Sequence, residues 1–347
     1  MLPAHRTAAR RIAAVAAVAA ATACTNVSEP TAVLSPSEAL MAKNSALTHP
    51  AGTLAERVPV SSLPWGIAVS PRGVVLTVLP FQNAIAGFTL GDPTAVRPPL
   101  AVSAYPMDVI FNRNGNLAYV AARFGGTIDV VDVRSNEVKG SIPLGQEIYR
   151  LALSAEETRI YATTLDGRLW TARTHGDPRA TSVALTEPWA SVQGKSLSPS
   201  GSDLYVAATN GMVWRLDPVT LEVRQSINLL FRQLQDIAAA PDGSTVWAAD
   251  ENGYVLKLDP VTLAPTATID LTGSFGRPFG LAVSPDGERV YAASSASGRV
   301  FVIEETAPNT FGVTSLVTGG TPRRIAFGMS GAAAVVSNEG AWVDVIR

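Results

Sequence analysis

The stretch GLAVSPDGERVYAAS, from Gly280 to Ser294, recurs in altered form along most of the chain and decides its fold. Counterparts of its first six residues begin at Gly66, Asp108, Arg150, Gly194, Asp236 and Arg324. Successive copies lie 42 or 44 residues apart. A period of this length, with short strand patterns inside each copy, is typical of propeller blades. The sequence therefore predicts an all-β fold, a seven-bladed β-propeller.

Each copy has the pattern of four short antiparallel strands joined by turns. A tight turn such as Pro285-Asp286-Gly287 follows the first strand, because proline presets φ and glycine accepts a positive φ. An aromatic residue such as Tyr291 then marks the second strand. An alternating strand such as Tyr254–Leu258 follows a further glycine turn and ends at an Asp-Pro-Val-Thr reversal. Four strands with this period-two pattern form one blade.

The ring closes through the two ends of the repeat region. The last copy contains three strands and then reaches Arg347, whereas Leu54–Val60 lies ahead of the first copy and has no blade of its own. We expect Leu54–Val60 to supply the outer strand of the last blade, so that a β-ladder joins the two ends. Residues 54–347 then form one domain of seven blades.

One copy carries a family resemblance. Its sequence, YVAARFGGTIDVVDVRSNEVKGSIPLG from Tyr119 to Gly145, resembles the YVTN-type propeller repeat. The Pro-Asp-Gly turns and the Leu-Asp-Pro-Val-Thr segments are similar to this group and to the related NHL propellers. The resemblance covers about Leu54 to Arg347 and implies the fold and an exported, YncE-like bacterial protein. It implies no single activity, since such repeats also occur in propeller lactonases and in quinoprotein dehydrogenase subunits.

The first 23 residues have the features of an export signal. A start rich in arginine precedes the apolar run Ile12–Ala23, which is shorter than the roughly 20 residues needed to span a bilayer. The run ends at Ala21-Thr22-Ala23-Cys24, which fits lipidation of Cys24 and also ordinary cleavage. We favour a lipoprotein of the cell envelope, with simple secretion as the alternative. Residues 24–53 are then a flexible tether between the lipid and the propeller.

Composition excludes several function classes. Lys and Arg total 27 against 29 Asp and Glu, and no basic run follows the signal, so no surface for nucleic acid is expected. Cys24 is the only cysteine, which excludes an internal disulfide. The histidines number three, and no nucleophile-elbow, zinc-protease or phosphate-loop motif is present. We expect neither a catalytic residue nor a cofactor.

Loops that enter the first strand of each blade share one face of a propeller with the loops between strands two and three. These loops are rich in aromatic and hydrogen-bonding side chains, as the mouth of a ligand site would be. The candidate ligand-binding residues are Trp65, Tyr105, Tyr149, Arg150, Trp189, Gln193, Gln233, Gln235, Arg277, Phe279 and Arg323. They favour a non-catalytic module that binds an envelope protein, a peptide or a glycan.

A rival hypothesis places a divalent cation such as Ca²⁺ at the same mouth. Its oxygen ligands would come from Asp108, Asp236, Glu251 and Glu339. The chain would then be a metal-assisted hydrolase or lactonase. This hypothesis requires at least three of the oxygen ligands to converge near the axis.

Overall fold

The computed structural model describes residues 47–176, 179–185, 192–197 and 201–347. The predicted export signal, Cys24 and Trp189 lie outside these ranges, as does most of the predicted tether. The described chain forms seven four-stranded antiparallel sheets. The prediction of an all-β, seven-bladed propeller is confirmed.

The strands follow one another blade by blade. The first is β1 (Leu54–Pro59), and blade one contains β2 (Ile67–Val69), β3 (Val74–Leu79), β4 (Ala84–Thr89) and β5 (Asp92–Ala101). Blade two contains β6 (Pro106–Phe111), β7 (Leu117–Ala122), β8 (Thr127–Asp132) and β9 (Glu137–Pro143). Blade three contains β10 (Ile148–Leu153), β11 (Arg159–Thr164), β12 (Arg168–Arg173) and β13 (Thr181–Ala184). Blade four contains β14 (Val192–Leu197), β15 (Leu204–Ala208), β16 (Met212–Leu216) and β17 (Val223–Asn228).

The remaining blades repeat this order. Blade five contains β18 (Leu234–Ala239), β19 (Val246–Asp250), β20 (Tyr254–Leu258) and β21 (Pro265–Asp270). Blade six contains β22 (Pro278–Val283), β23 (Arg289–Ser294), β24 (Arg299–Ala307) and β25 (Thr310–Val317). Blade seven contains β26 (Pro322–Phe327), β27 (Ala334–Asn338) and β28 (Trp342–Ile346), with β1 as its outer strand. Two short 3₁₀ helices, Pro80–Gln82 and Thr272–Ser274, are also present, and no helix in the described ranges is long and apolar enough to cross a bilayer.

The ring closes where β1 pairs with β28. The two strands are antiparallel, and Val58 lies opposite Val343. Val58 is buried among residues of blades seven and one. Backbone hydrogen bonds between Thr53 and Arg347 extend the ladder by one further pair. The predicted closing segment Leu54–Val60 is therefore confirmed, with its strand ending at Pro59.

Neighbouring blades are joined by a recurring tyrosine contact. The Tyr161 hydroxyl donates to the Pro218 carbonyl of the next blade at 2.6 Å, and Tyr205 donates to the Pro260 carbonyl at 3.1 Å. Each acceptor lies in the turn between the third and fourth strands. Tyr291 of blade six makes the same bond to Pro50 at 3.2 Å. Pro50 thus takes the place of the turn that blade seven lacks because its outer strand comes from the other end of the chain.

Residues just ahead of β1 are also held against the ring. The Thr48 backbone N–H donates to the Ser330 carbonyl at 3.0 Å. The His49 Nδ1 atom lies 2.7 Å from the Asp286 carboxylate. Residues 47–53, here called the strap, therefore contact blades six and seven before the closing strand begins.

Candidate functional site

The upper face is defined here as the face where the seven inner strands begin, and the lower face as the one where they end. At one level near the upper face, the repeat places one residue of each blade on the channel. In blade order these residues are Gly66, Asp108, Arg150, Gly194, Asp236, Gly280 and Arg324. Four charged side chains therefore share this level with three glycines, and we call them the charged ring.

The glycines make room for the charged residues beside them. A Cβ atom added to Gly280 would lie 2.0 Å from the Arg323 carbonyl oxygen and 2.9 Å from the Arg324 Cα. One added to Gly194 would lie 2.8 Å from the Asp236 Cα. Because such distances are below any normal contact, the inner strands could not approach this closely with side chains at those positions. The sequence pattern of glycine beside a charged residue therefore lets neighbouring inner strands approach closely at the level of the charged ring.

Ion pairs connect the members of the charged ring. Arg150 contacts the Asp108 carboxylate at 3.2 Å through Nη1 and the Asp236 carboxylate at 3.3 Å through Nη2. Arg324 contacts Asp236 at 2.8 Å and donates to the carbonyls of Gln235 and Phe279. The Leu151 and Leu281 backbone N–H groups donate to Asp108 and Asp236, respectively. Both carboxylates are thus fully engaged by positive charge and by backbone donors.

Burial and charge act in opposite directions on the ionisable groups here. Burial alone would lower the pKa of Arg150, but the charges of Asp108 and Asp236 outweigh it and raise that pKa above its usual value. Burial raises the pKa of Tyr149, although the nearby Arg324 and Arg150 cations oppose the rise. Arg150 therefore stays charged and the Tyr149 phenol stays neutral at ordinary pH.

The four carboxylates of the rival metal hypothesis are not brought together. Asp108 and Asp236 lie on either side of Arg150. Glu251 accepts a hydrogen bond from Gln235 at 2.6 Å, and Glu339 pairs with Arg323 at 2.8 Å. Within the described ranges, the one group of three potential ligands close enough to share an ion is His49, Asp286 and Glu288 at the strap.

Three of the predicted ligand-binding residues do form a cluster at the centre of the upper face. The Trp65 and Phe279 rings meet edge to face, with centroids 5.5 Å apart. The Arg323 guanidinium lies over both rings, 4.5 Å from the Trp65 centroid and 4.7 Å from that of Phe279. Glu339 holds this guanidinium by an ion pair. The cluster is a compact cation–π arrangement of limited exposure.

The other predicted residues are spread around the face. Tyr105 packs against Phe81 and Phe124, with ring centroids 5.6 and 4.7 Å away. Gln233 donates its backbone N–H to Asp250, and the Arg277 side chain is exposed. Gln193 lies in the inner strand β14.

Of the most exposed aromatic side chains of this face, sequence reasoning named only Phe124, and it missed the other three. Phe231 is 94% exposed and Phe275 is 82% exposed, in the loops that enter blades five and six. Phe81 and Phe124 are 65% and 59% exposed, in turns between second and third strands. We call these four residues the aromatic belt. Their only sequence signal is an aromatic residue in a segment that must be a loop.

Backbone strain accompanies these loops. Phe231, Phe275 and Tyr105 have φ values of 65°, 54° and 58°. The left-handed region costs roughly 1–2 kcal/mol for a residue with a Cβ atom. Three loops that enter inner strands thus hold a bulky aromatic residue in a conformation that glycine or asparagine would adopt more easily.

The lower face opens into the channel. A cavity of about 440 Å³ extends along the inner strands of blades seven, one and two and reaches Asp108, Arg150 and Arg324. Apolar side chains such as Ile67, Phe111 and Phe327 form much of its wall. The charged ring therefore forms part of the inner wall of this cavity.

Comparisons with known proteins identify the fold only. No family model matches the chain, and no curated protein matches its sequence. Among solved structures, the β-propeller domain of Cps50 (Swd1) from Myceliophteria thermophila is similar, with a TM-score of 0.73 and 13% identity over 85% of this chain and 98% of that one. Hydrazine synthase from Kuenenia stuttgartiensis gives a TM-score of 0.74 and 17% identity over 86% and 99%. A chain of the Mitotic Checkpoint Complex gives 0.75 and 12% over 86% and 93%.

Proposed function

We propose that the protein is a non-catalytic binding module that docks a protein partner on the aromatic belt of its upper face. The observation that carries the proposal is the exposure of Phe231 and Phe275, which is nearly complete although both rings are large and apolar. Several exposed aromatic residues on one face are typical of protein interaction surfaces. The similarity to a chain of the Mitotic Checkpoint Complex is consistent with such a role for this fold.

The strained loops support the same proposal. The Phe231 carbonyl accepts a hydrogen bond from the Asn252 side chain at 2.8 Å, but the exposed ring gains little from packing within its own chain and does not offset the cost of the left-handed backbone. A bound partner that buries the Phe231 ring would offset this free-energy cost. Phe231→Asn should therefore raise the free energy of unfolding by up to about 1 kcal/mol, because asparagine tolerates this region, while it weakens partner binding.

The charged ring supports binding over metal-assisted hydrolysis. A Ca²⁺ ion needs several free oxygen ligands at about 2.3–2.6 Å. Asp108 and Asp236 instead neutralise buried arginines, and Glu251 and Glu339 have partners of their own. A metal would have to displace Arg150 from between the two aspartates.

Site-specific photocrosslinking tests the proposed surface. A benzoylphenylalanine placed at position 231 should give an adduct of one discrete mass in intact cells. The same group at position 261 is the matched control, because Val261 is also exposed but lies in a turn of the lower face. Adducts at position 261 alone, or none at position 231, would refute docking on the upper face.

We further propose that the chain is an exported, lipid-anchored propeller of the YVTN/NHL type. The basis is the apolar run that ends at Cys24, together with the repeat pattern in Tyr119–Gly145. Intact mass of the mature protein tests the anchor, since lipidation adds acyl chains to Cys24 and Cys24→Ser prevents it. A mature protein of unmodified mass that begins after Ala23 would indicate simple secretion instead.

A further inference from the structure

The outer part of blade three contains a second cavity, on the side that faces blade four. Its volume is about 420 Å³, and its lining includes Arg159, Thr171, Arg173, Arg179 and Thr181. The proposed docking of a partner on the upper face does not use it. Arg159 begins β11 and Arg173 ends β12, which places the cavity toward the lower face.

Two of its arginines face each other across neighbouring strands. Arg159 and Arg173 are directly paired in the β11–β12 ladder, so their side chains leave the same side of the sheet. Like charges in this arrangement repel each other. No described residue makes an ion pair or side-chain hydrogen bond with either guanidinium. Asp217 of blade four lies close enough to raise the pKa of Tyr161 by its charge, but its carboxylate is paired with Arg224 and not with Arg159 or Arg173.

A buried hydroxyl points to a missing hydrogen-bond partner at the same place. Thr171 is only 4% exposed, and its Oγ1 atom has no hydrogen-bond partner in the described part of the chain. Leaving a buried polar atom unpaired is unfavourable, and such atoms are uncommon in folded proteins. The residue lies on the same side of the sheet as Arg159 and Arg173 and lines the cavity with them.

We propose that this cavity binds a phosphate group. A tetrahedral oxyanion between Arg159 and Arg173 would neutralise two facing cations. Rotation of the Thr171 side chain about χ1 would turn its enclosed hydroxyl toward one of the anion's oxygens as a hydrogen-bond donor. A neighbouring cavity of about 390 Å³ is lined by the same two arginines together with Thr158, Thr174 and His175. This space admits the remainder of a phosphorylated molecule. The phosphate can thus be free in solution or part of a lipid headgroup.

Calorimetric titration with sodium phosphate at low ionic strength tests the site on the full chain. Saturable binding is expected for the wild type, with at least a tenfold loss of affinity in Arg173→Gln, because a charge-assisted hydrogen bond is removed. Arg134→Gln is the matched control, since Arg134 is an exposed arginine outside the cavity, and its affinity should equal that of the wild type.

Thr171→Val separates binding from folding. The substitution keeps the shape of the side chain and removes an unpaired hydroxyl, so the Tm should stay unchanged or rise while phosphate affinity falls.

Flotation with vesicles of phosphatidic acid, against vesicles of phosphatidylcholine, identifies a lipid headgroup as the source of the phosphate when only the phosphatidic acid vesicles bind the protein. The proposal is overturned if the wild type binds neither phosphate nor phosphatidic acid vesicles. It is equally overturned if Arg173→Gln and Thr171→Val bind as the wild type does.

Discussion

Replacing Asp236 with asparagine tests whether the charged ring is a structural element of the channel. Asp236 lies 2.8 Å from Arg324 and 3.3 Å from Arg150, and it accepts the Leu281 N–H at 3.1 Å. The substitution keeps the shape of the side chain, but it removes the negative charge that Asp236 shares with the buried Arg150 and Arg324. Removing one partner of a buried ion pair costs about 3–5 kcal/mol. We expect a loss of unfolding free energy in that range, measured by urea denaturation at neutral pH with a chelator present.

Two further substitutions should cause smaller losses of unfolding free energy and serve as references for Asp236→Asn. Asp108→Asn removes one arginine partner and leaves Arg150 paired with Asp236, so the loss should be about 1.5–3 kcal/mol. Glu251→Gln changes a partly exposed group whose partner Gln235 is neutral, and the loss should be about 1 kcal/mol or less. The order of the three losses follows the number and burial of the charges left unpaired.

The same assay can refute this reasoning. If Asp236→Asn unfolds within about 1 kcal/mol of the wild type, the ring is not a buried ion-pair network in solution. If Ca²⁺ stabilises the wild type and the two asparagine variants abolish the effect, the aspartates bind metal and the rival hydrolase hypothesis gains its main support.

Three further outcomes are expected. Tyr205→Phe removes the hydrogen bond to the Pro260 carbonyl and should cost about 1 kcal/mol in urea denaturation, and no loss would show that the contact between blades contributes nothing. Val58→Asp places a charge in the buried β1–β28 seam and should lower thermal stability far more than Leu54→Asp at the exposed end of β1; equal effects would contradict the closure. Burial raises the pKa of Asp344 despite hydrogen bonds from Asn338, Trp342 and Arg57, so the stability that this group contributes is complete below its ordinary pKa and is lost as pH rises through the higher value. Burial also acts to raise the pKa of Asp203, but hydrogen bonds from Arg215 and Arg224 outweigh it and lower that pKa, so the stability that Asp203 contributes is lost as pH falls. The unfolding free energy of the wild type minus that of the variant, measured against pH, should therefore fall with rising pH for Asp344→Asn and rise for Asp203→Asn. Slopes of the same sign would refute the assignment.

The fold could be predicted because local turn chemistry repeats at a fixed period. Pro285-Asp286-Gly287 and its counterparts define where one strand ends and the next begins, and seven such units leave one strand position to fill. The segment ahead of the first unit is the remaining candidate for that position, and Val58 pairs as expected.

The charged ring could be located from the sequence but not interpreted. Asp108, Asp236 and Arg150 occupy the first position of the repeat, and the period of the repeat alone is enough to align them. Whether the two aspartates bind a metal ion or an arginine depends on distances across the ring. These distances cannot be derived from the spacing of residues along the chain. Arg324 occupies the same position of the repeat, and only the structure shows that it makes the shortest contact to Asp236 within the ring.

Most of the aromatic belt, with the exception of Phe124, could not be predicted because its loops differ from blade to blade. Phe231 and Phe275 lie in segments of unlike sequence, outside the strands that carry the period. Neither burial nor alternation constrains such residues. Their exposure and their left-handed backbone are properties of the folded chain, and no local pattern encodes them.

The strap gives the molecule a defined response to mechanical load. A pull on the residues ahead of Thr48 would reach His49 and Pro50 first, because these residues are fastened to Asp286 and Tyr291. The ladder between β1 and β28 would bear force only after those contacts had broken. Under the proposed lipid anchor at Cys24, these contacts would shield the seam between β1 and β28, and a protease that cut upstream of Thr48 would release the intact propeller.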